Sequence, residues 1–255
     1  MDKQSLRDKI WRELEASGAA TFPRPVAGRI PNFVGSPEAA GKLRSLPAYI
    51  SAKTIFVNPD AAQLAVREMA LRDGKLLIVA TPRLRHGFIL IDPAKISNFR
   101  EAASIGGAFR YGGRVNLRGL KVDLVVEGSV AVDRKGGRLG KGGGFGDLEV
   151  AVLLELGAVT DETPIATTVH PMQIVDRVPM TEHDVPVDFI VTPDLIVKTS
   201  RGYPKPSGII WKILPADAFK RIPILAELKG KHDPGSRRGG PGAGARQLGA
   251  LRGPL

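Results

Sequence analysis

What most constrains this chain is a set of short, nearly unbroken apolar runs: LLIVATP at 76–82, FILI at 88–91, VDLVV at 122–126, IATTV at 165–169 and DFIVT at 188–192. A strand with one face in water alternates apolar and polar residues, whereas a strand covered on both faces has no reason to. The runs therefore predict strands buried between two layers, joined by strand-like 53–57, 129–132 and 195–199. Helical spacing fills the intervals. Leu6, Ile10, Trp11 and Leu14 line one face of 5–16, and Leu64, Val66, Met69 and Leu71 do so in 60–72. Further helices are expected at 37–46 with Ser36 as N-cap, around 96–103, and at 147–156. Strands interleaved with helices make this an α/β chain, expected as a three-layer α/β/α sandwich with a mixed, mostly parallel sheet. The close pairs within 122–132 and 188–199 are expected to be hairpins. The Pro- and Gly-rich 22–37 reads as an extended loop.

With 255 residues, 43% of them hydrophobic, the chain can bury one large core. It has no cysteine, which excludes disulfides and zinc–thiolate sites. Charges are spread through the N-terminus and no apolar run approaches the roughly 20 residues of a membrane span, so a cytoplasmic protein with no membrane partner is expected. A net charge of +11 points to polyanions, either nucleic acid or phosphorylated small molecules. From Lys229 on, six Lys or Arg stand against one Asp among eight glycines. The expected organisation is a folded domain over 1–228 and a basic tail over 229–255, too poor in apolar residues to order alone and suited to weak RNA contact.

The stretch RLGKGGGFGDLE at 138–149 lies between a predicted strand and a predicted helix, where open α/β sheets bind ligands. Successive glycines turn backbone N–H groups into an anion nest, and a following helix adds its positive end. Arg138 and Lys141 place positive charge beside it. The spacing is neither a Walker A loop nor a dinucleotide fingerprint, so glycine content alone leaves a phosphate cradle and a flexible turn both open. Asp147 is either a helix N-cap or, beside bound phosphate, a ligand for Mg²⁺. His170 and the pair His183 and Asp184 lie at strand ends, with His170 read as a hydrogen-bonded loop residue. Phe22, Phe33 and Phe88 are candidates to line a pocket for a flat ring, with core packing the simpler role.

Together these segments resemble the 5-formyltetrahydrofolate cyclo-ligase family, the methenyltetrahydrofolate synthetases. The resemblance rests on Lys3-Gln4-Ser5-Leu6-Arg7, the 138–149 loop, Gln173-Ile174-Val175-Asp176, His183-Asp184 and Val187-Asp188-Phe189-Ile190-Val191-Thr192, in the family's order. FPRPVAGRIPNF, TPRLRHGF and the loop ending GFGDLE resemble most the divergent branch of synthetase domain-containing proteins. The resemblance implies a fold shared with ribose-phosphate isomerase and CoA-transferase relatives. It also implies that the formyl oxygen of 5-formyltetrahydrofolate attacks the γ-phosphate of ATP, the second folate nitrogen closes the ring, and phosphate leaves. By similarity Lys3 and Arg7 reach the ATP phosphates. Arg138, Gly140, Lys141, Gly142, Gly143, Gly144 and Phe145 cradle them, Arg138 and Lys141 act in the transfer, and Asp147 serves Mg²⁺. Two positions depart from the family's Tyr-Tyr-Asp-Arg: Gly146 and Leu148 replace a tyrosine and an arginine, with Arg201 a candidate to compensate. The alternative is a non-catalytic nucleotide- or RNA-binding protein on the same fold.

Overall fold

A computed structural model describes residues 1–232, and its β-strands alternate strictly between two cores. In β1 (Thr54–Val57) Phe56 enters one core while Ile55 and Val57 enter the other. In β2 (Leu76–Ala80) Ile78 and Ala80 oppose Leu77 and Val79 in the same way. The remaining strands are β3 (Phe88–Ile91), β4 (Gly113–Val115), β5 (Leu124–Glu127), β6 (Ala131–Asp133), β7 (Arg138–Leu139), β8 (Ile165–Thr168), β9 (Ile174–Val175), β10 (Phe189–Val191) and β11 (Ile196–Lys198). Eight of them form one sheet in the order β11-β10-β8-β5-β1-β2-β3-β4. Its centre, from β10 to β2, is parallel, and β11, β3 and β4 add antiparallel edges. Period-2 alternation of apolar side chains on both sides is why these runs read as continuous in sequence.

The helices are α1 (Lys3–Ala16), α2 (Ser36–Leu43), α3 (Pro47–Ser51), α4 (Leu64–Arg72), α5 (Phe99–Ala102), α6 (Ile105–Tyr111), α7 (Phe145–Glu155), α8 (Ala218–Arg221) and α9 (Pro223–His232). Residues of α2 to α6 pack on the Ile55/Leu77/Leu124 face, and residues of α7, α8 and α9 on the Phe56/Ile78/Val125 face, which makes three layers. The amphipathic α1, capped by Asp2, instead lays Leu6, Ile10, Trp11 and Leu14 on a small second sheet of β7, β6 and β9. Each of these fully buried large side chains contributes about 1.5–3 kcal/mol of transfer free energy.

Two expectations change. The pair at 188–199 is a hairpin, but 122–132 is not: β5 ends in the large sheet and β6 belongs to the small one. The break falls at Glu127-Gly128, where the Gly128 N–H donates to the Asn58 side chain (2.7 Å) and the Gly128 carbonyl accepts from Arg138 (2.9 Å), so the chain leaves one sheet for the other. Ser36 is the first residue of α2 rather than its cap; Gly35, at φ 89°, takes the cap position. The chain also holds α8 and α9 in a region with no predicted elements, and α9 runs past Leu228. The rest of the predicted tail, 233–255, lies outside the described residues. No helix among those described is long and apolar enough to cross a membrane.

One buried cation fixes the segment after β1. Arg67, 2% exposed, donates to the carbonyls of Ala103 (2.7 Å), Asp60 (3.0 Å) and Asn58, and burial pulls its pKa down to about 10. Arg67→Leu removes the guanidinium and strands these carbonyls. It is expected to lose about 2–4 kcal/mol in urea denaturation, and an unchanged midpoint would refute this role.

Candidate functional site

The C-terminal ends of β1, β2 and β5 open onto a cleft of about 590 Å³. Asn58 and Asp60 follow β1, Pro82 and Arg83 follow β2, and Gly128 follows β5; the glycine loop and the first turn of α7 form the opposite wall. This is the position at which parallel α/β sheets hold ligands. Gly144, at φ 66°, is the N-cap of α7, and no side chain caps the helix. The first N–H groups of α7 are thus without an intrahelical acceptor and border the cleft.

Arg138 lies at the floor, 3% exposed, and ties the loop to everything around it. Its Nη2 donates to Asp147 Oδ1 (2.5 Å), Nη1 to the Gly128 carbonyl (2.9 Å) and Nε to the Val185 carbonyl (3.1 Å), with Glu127 Oε2 at 3.3 Å from Nη1. Burial opposes its charge, but the carboxylates of Asp147 and Glu127 outweigh burial and raise its pKa. Asp147 is therefore not the N-cap. It sits in the first turn of α7, and its Oδ1 accepts from Arg138 and from the Val185 N–H (2.9 Å).

Two buried acids unnoticed in the sequence lie beside it. Glu127 is fully buried, and burial pushes its pKa up to about 7 against the pull of Arg138. Glu149, 4% exposed and lining the cleft, is pushed well up by burial and by the neighbouring Glu127 charge. Asn58 bridges them, its Nδ2 donating to Glu149 Oε2 (2.7 Å) and Glu127 Oε1 (3.3 Å). Glu127 Oε2 accepts no hydrogen bond and occupies the space a side chain at 146 would need: a Cβ on Gly146 would meet it at 2.7 Å.

Of the predicted site residues, Arg138, Gly140, Lys141, Gly143, Gly144, Phe145 and Asp147 line this cleft. Lys141 reaches across to Asp60 Oδ1 (2.5 Å). Lys3 and Arg7 brace the loop and the late segment instead of lining the cleft. Arg7 Nε donates to the Gly140 carbonyl (2.7 Å), its guanidinium lies under Gly142, and Lys3 pairs with Asp184 (2.5 Å). Arg201 is elsewhere, paired with Asp188 (2.8 Å) at a separate cavity, so it does not compensate for the missing arginine. None of the three phenylalanines lines the cleft: Phe33 and Phe88 are 1% exposed in the cores, and Phe22 is 84% exposed. His170 accepts from the Met172 N–H through Nδ1 (3.3 Å) and packs edge-on against Phe33, as a loop residue would. Leu148 faces away from the cleft into a second, apolar cavity of about 230 Å³.

Comparison with known proteins gives these observations a family. Residues 1–193 match the model of the 5-formyltetrahydrofolate cyclo-ligase family. A methenyltetrahydrofolate synthase domain-containing protein of Mus musculus is 42% identical over 260 residues, covering 95% of this chain and 70% of its own length. One from Bos taurus is 43% identical over 236 residues, covering 90% of this chain and 62% of its own length. The NMR structure of 5,10-methenyltetrahydrofolate synthetase from Aquifex aeolicus shares the fold, with a TM-score of 0.50 at 21% identity over 80% of this chain and 95% of that one. A mixed, mostly parallel sheet between helical layers, a glycine loop opening α7 over the strand ends, and a family match across three quarters of its length place this chain in the 5-formyltetrahydrofolate cyclo-ligase family.

Proposed function

We propose that the cleft is the active site of an ATP-dependent ligase that cyclises 5-formyltetrahydrofolate, or a close N-formyl relative, to its 5,10-methenyl product. The observation that carries this reading is the uncapped start of α7, with its glycine loop and Lys141, facing a polar cleft large enough for a substrate beside a phosphate chain. Phosphoryl transfer needs positioning and charge neutralisation more than a nucleophile from the protein. The N–H groups at Gly144, Phe145 and Gly146 are placed for phosphate oxygens, and Lys141 leaves Asp60 to pair with them. Arg138 has its guanidinium committed to four protein groups, so its part is to hold Asp147 and the loop in place. Arg7 sets the loop from its other side.

Mg²⁺ takes one or two carboxylates together with phosphate oxygens and water. Asp147 and Asp60 line the same cleft as the loop, and each has only one carboxylate oxygen engaged, so this donor set fits. When bound, the ion neutralises phosphate charge. On the substrate side, Glu149 offers a carboxyl group to the N–H groups of a reduced pterin, with Asn58 holding it in place.

Protein incubated with Mg²⁺, ATP and 5-formyltetrahydrofolate is expected to release phosphate in step with methenyl-folate absorbance. Lys141→Ala should slow this about 100-fold. ATP binding with no turnover at saturating folate would instead support a non-catalytic nucleotide-binding protein, and no ATP binding would sink both readings.

The acids add two expectations. Gly146→Ala should cost about 1–3 kcal/mol through overpacking against Glu127, and markedly less in a Glu127→Ala background. Equal costs in the two backgrounds would refute that contact. Glu127 holds its proton more tightly folded than unfolded, so its contribution to stability is whole below the ordinary glutamate value of 4.5 and is lost as pH rises through about 7. Glu127→Gln should therefore gain on the parent protein between pH 5 and pH 8 in denaturant titrations. Parallel pH profiles for the two would show that Glu127 is not the group responsible.

A further inference from the structure

A cavity of about 330 Å³ lies at the other end of the sheet from the cleft. The cleft borders the C-terminal ends of β1, β2 and β5, whereas Asp161 and Asp188 of this cavity precede the N-terminal ends of the parallel strands β8 and β10. Asp188, 4% exposed, accepts from the Ile165 N–H (2.9 Å) and faces two cations: Arg201 Nε is 2.8 Å from its Oδ1 and Lys205 Nζ 3.0 Å from its Oδ2. Lys205 also donates to the carbonyls of Asp161 (2.6 Å) and Thr163 (2.8 Å), which occupies its ammonium fully. Arg201 differs. Its side chain is half-exposed, and its Nη1 and Nη2 groups have no partner among the described residues. The carboxylate of Asp161 has none either, since Lys205 takes only its backbone carbonyl. The backbone holds Arg201 at φ 52°, a left-handed conformation uncommon outside glycine. On either side the Ser200 N–H donates to the Arg134 carbonyl (3.1 Å) and the Gly202 N–H to the Lys135 carbonyl (2.7 Å), which ties this strap to the turn between β6 and β7.

We propose that this cavity binds a zwitterionic α-amino acid, its carboxylate on the outer N–H groups of Arg201 and its ammonium on the Asp161 carboxylate. The charges select that class. Two carboxylates and two cations line the cavity, so a ligand with no net charge and separated ends matches it better than phosphate or another dianion. Asp188 and Lys205 neutralise each other, which leaves one free group of each sign, Arg201 and Asp161. A guanidinium already oriented through Nε by a buried carboxylate presents its remaining N–H groups as a preformed fork, the geometry that takes a second carboxylate in two parallel hydrogen bonds. Pro186, Val187, Tyr203 and Pro204 complete the lining and give apolar surface for the ligand's side chain. At about 330 Å³ the cavity stands at the small end of the 300–1,000 Å³ of small-molecule sites, which suits a single amino acid. None of these residues lines the cleft, so the inference is independent of what the glycine loop binds. The site is one of binding and not a second catalytic centre, because Lys205, its amine, has every donor engaged.

Calorimetry on the full chain tests this with L-alanine, L-leucine and L-phenylalanine. Each is measured beside the analogue lacking its ammonium and the analogue lacking its carboxylate, which for leucine are 4-methylpentanoate and 3-methylbutylamine. At least one amino acid is expected to bind, and at least about tenfold more tightly than either of its analogues. Arg201→Gly suits the left-handed backbone and removes the fork, while Asp161→Asn removes the charge and keeps the carbonyl that Lys205 uses. Each variant is expected to keep the parent's circular dichroism spectrum and to bind the amino acid at least about tenfold more weakly. Should Arg201→Gly fail to fold, Asp161→Asn decides. No binding of any of the three amino acids would overturn the proposal, as would equal affinity for an analogue or tighter binding of inorganic phosphate. Parent-like affinity in either folded variant would overturn it too, and would leave Arg201 as a brace for the strap alone.

Discussion

The shape of the site depends on one buried guanidinium. Arg138 is the first residue of the short strand β7, yet its side chain joins the end of β5 at Gly128 and Glu127, the first turn of α7 at Asp147 and the late segment at Val185. A buried cation is tolerated only when its donors are met and its charge is balanced, and here three N–H bonds and two carboxyl groups do both. The same contacts hold the chain's departure from the large sheet at residue 128, which opens the cleft, and the start of α7, which borders it. Floor and loop-side wall are thus set by a single side chain, so the loop needs no rigidity of its own despite its glycines.

Once Arg138 is in place, the two departures from the family pattern take on separate physical causes. Glu127 fills the space beside Arg138 that a side chain at 146 would require, so glycine there accompanies a buried acid at the end of β5. Leucine at 148 accompanies an apolar segment packed across the face of α7. At 146 the space is taken by Glu127, and at 148 the leucine matches the apolar residues that face it.

The strands were readable because burial on both faces suppresses the period-2 signal and leaves runs such as LLIVA, and the glycine loop because positive φ at Gly142 and Gly144 requires that residue type. The cluster of Asn58, Glu127 and Glu149 was not. Each lies next to an apolar segment where a polar residue ordinarily marks the solvent side, and their meeting depends on parallel pairing of β1 with β5 across some 70 residues of chain. The misread hairpin has the same origin: Glu127-Gly128 looks like a tight turn, and only the Arg138 and Asn58 contacts show it to be a crossing between sheets. Lys3 and Arg7, four residues apart on α1, reach different partners because one stands over Asp184 and the other under the loop. In 208–222 Pro215 and short helical turns hide the apolar wall that the fold assembles from them.

The protonation of the two glutamates bears directly on what the cleft accepts. Its described lining residues and Glu127 carry four carboxyl groups, Asp60, Glu127, Asp147 and Glu149, against four cations, Arg29, Arg83, Arg138 and Lys141. With all four acids ionised, the cations would do no more than balance them. Burial raises the pKa of Glu127 and Glu149, so near neutral pH much of that negative charge is absent and the cations of the cleft are in excess. An arriving polyanion would raise both glutamate values further, since its charge favours their neutral forms. Binding of a polyanion would therefore be coupled to proton uptake, and the desolvation that makes these acids costly to ionise would favour it in an acid-rich cleft.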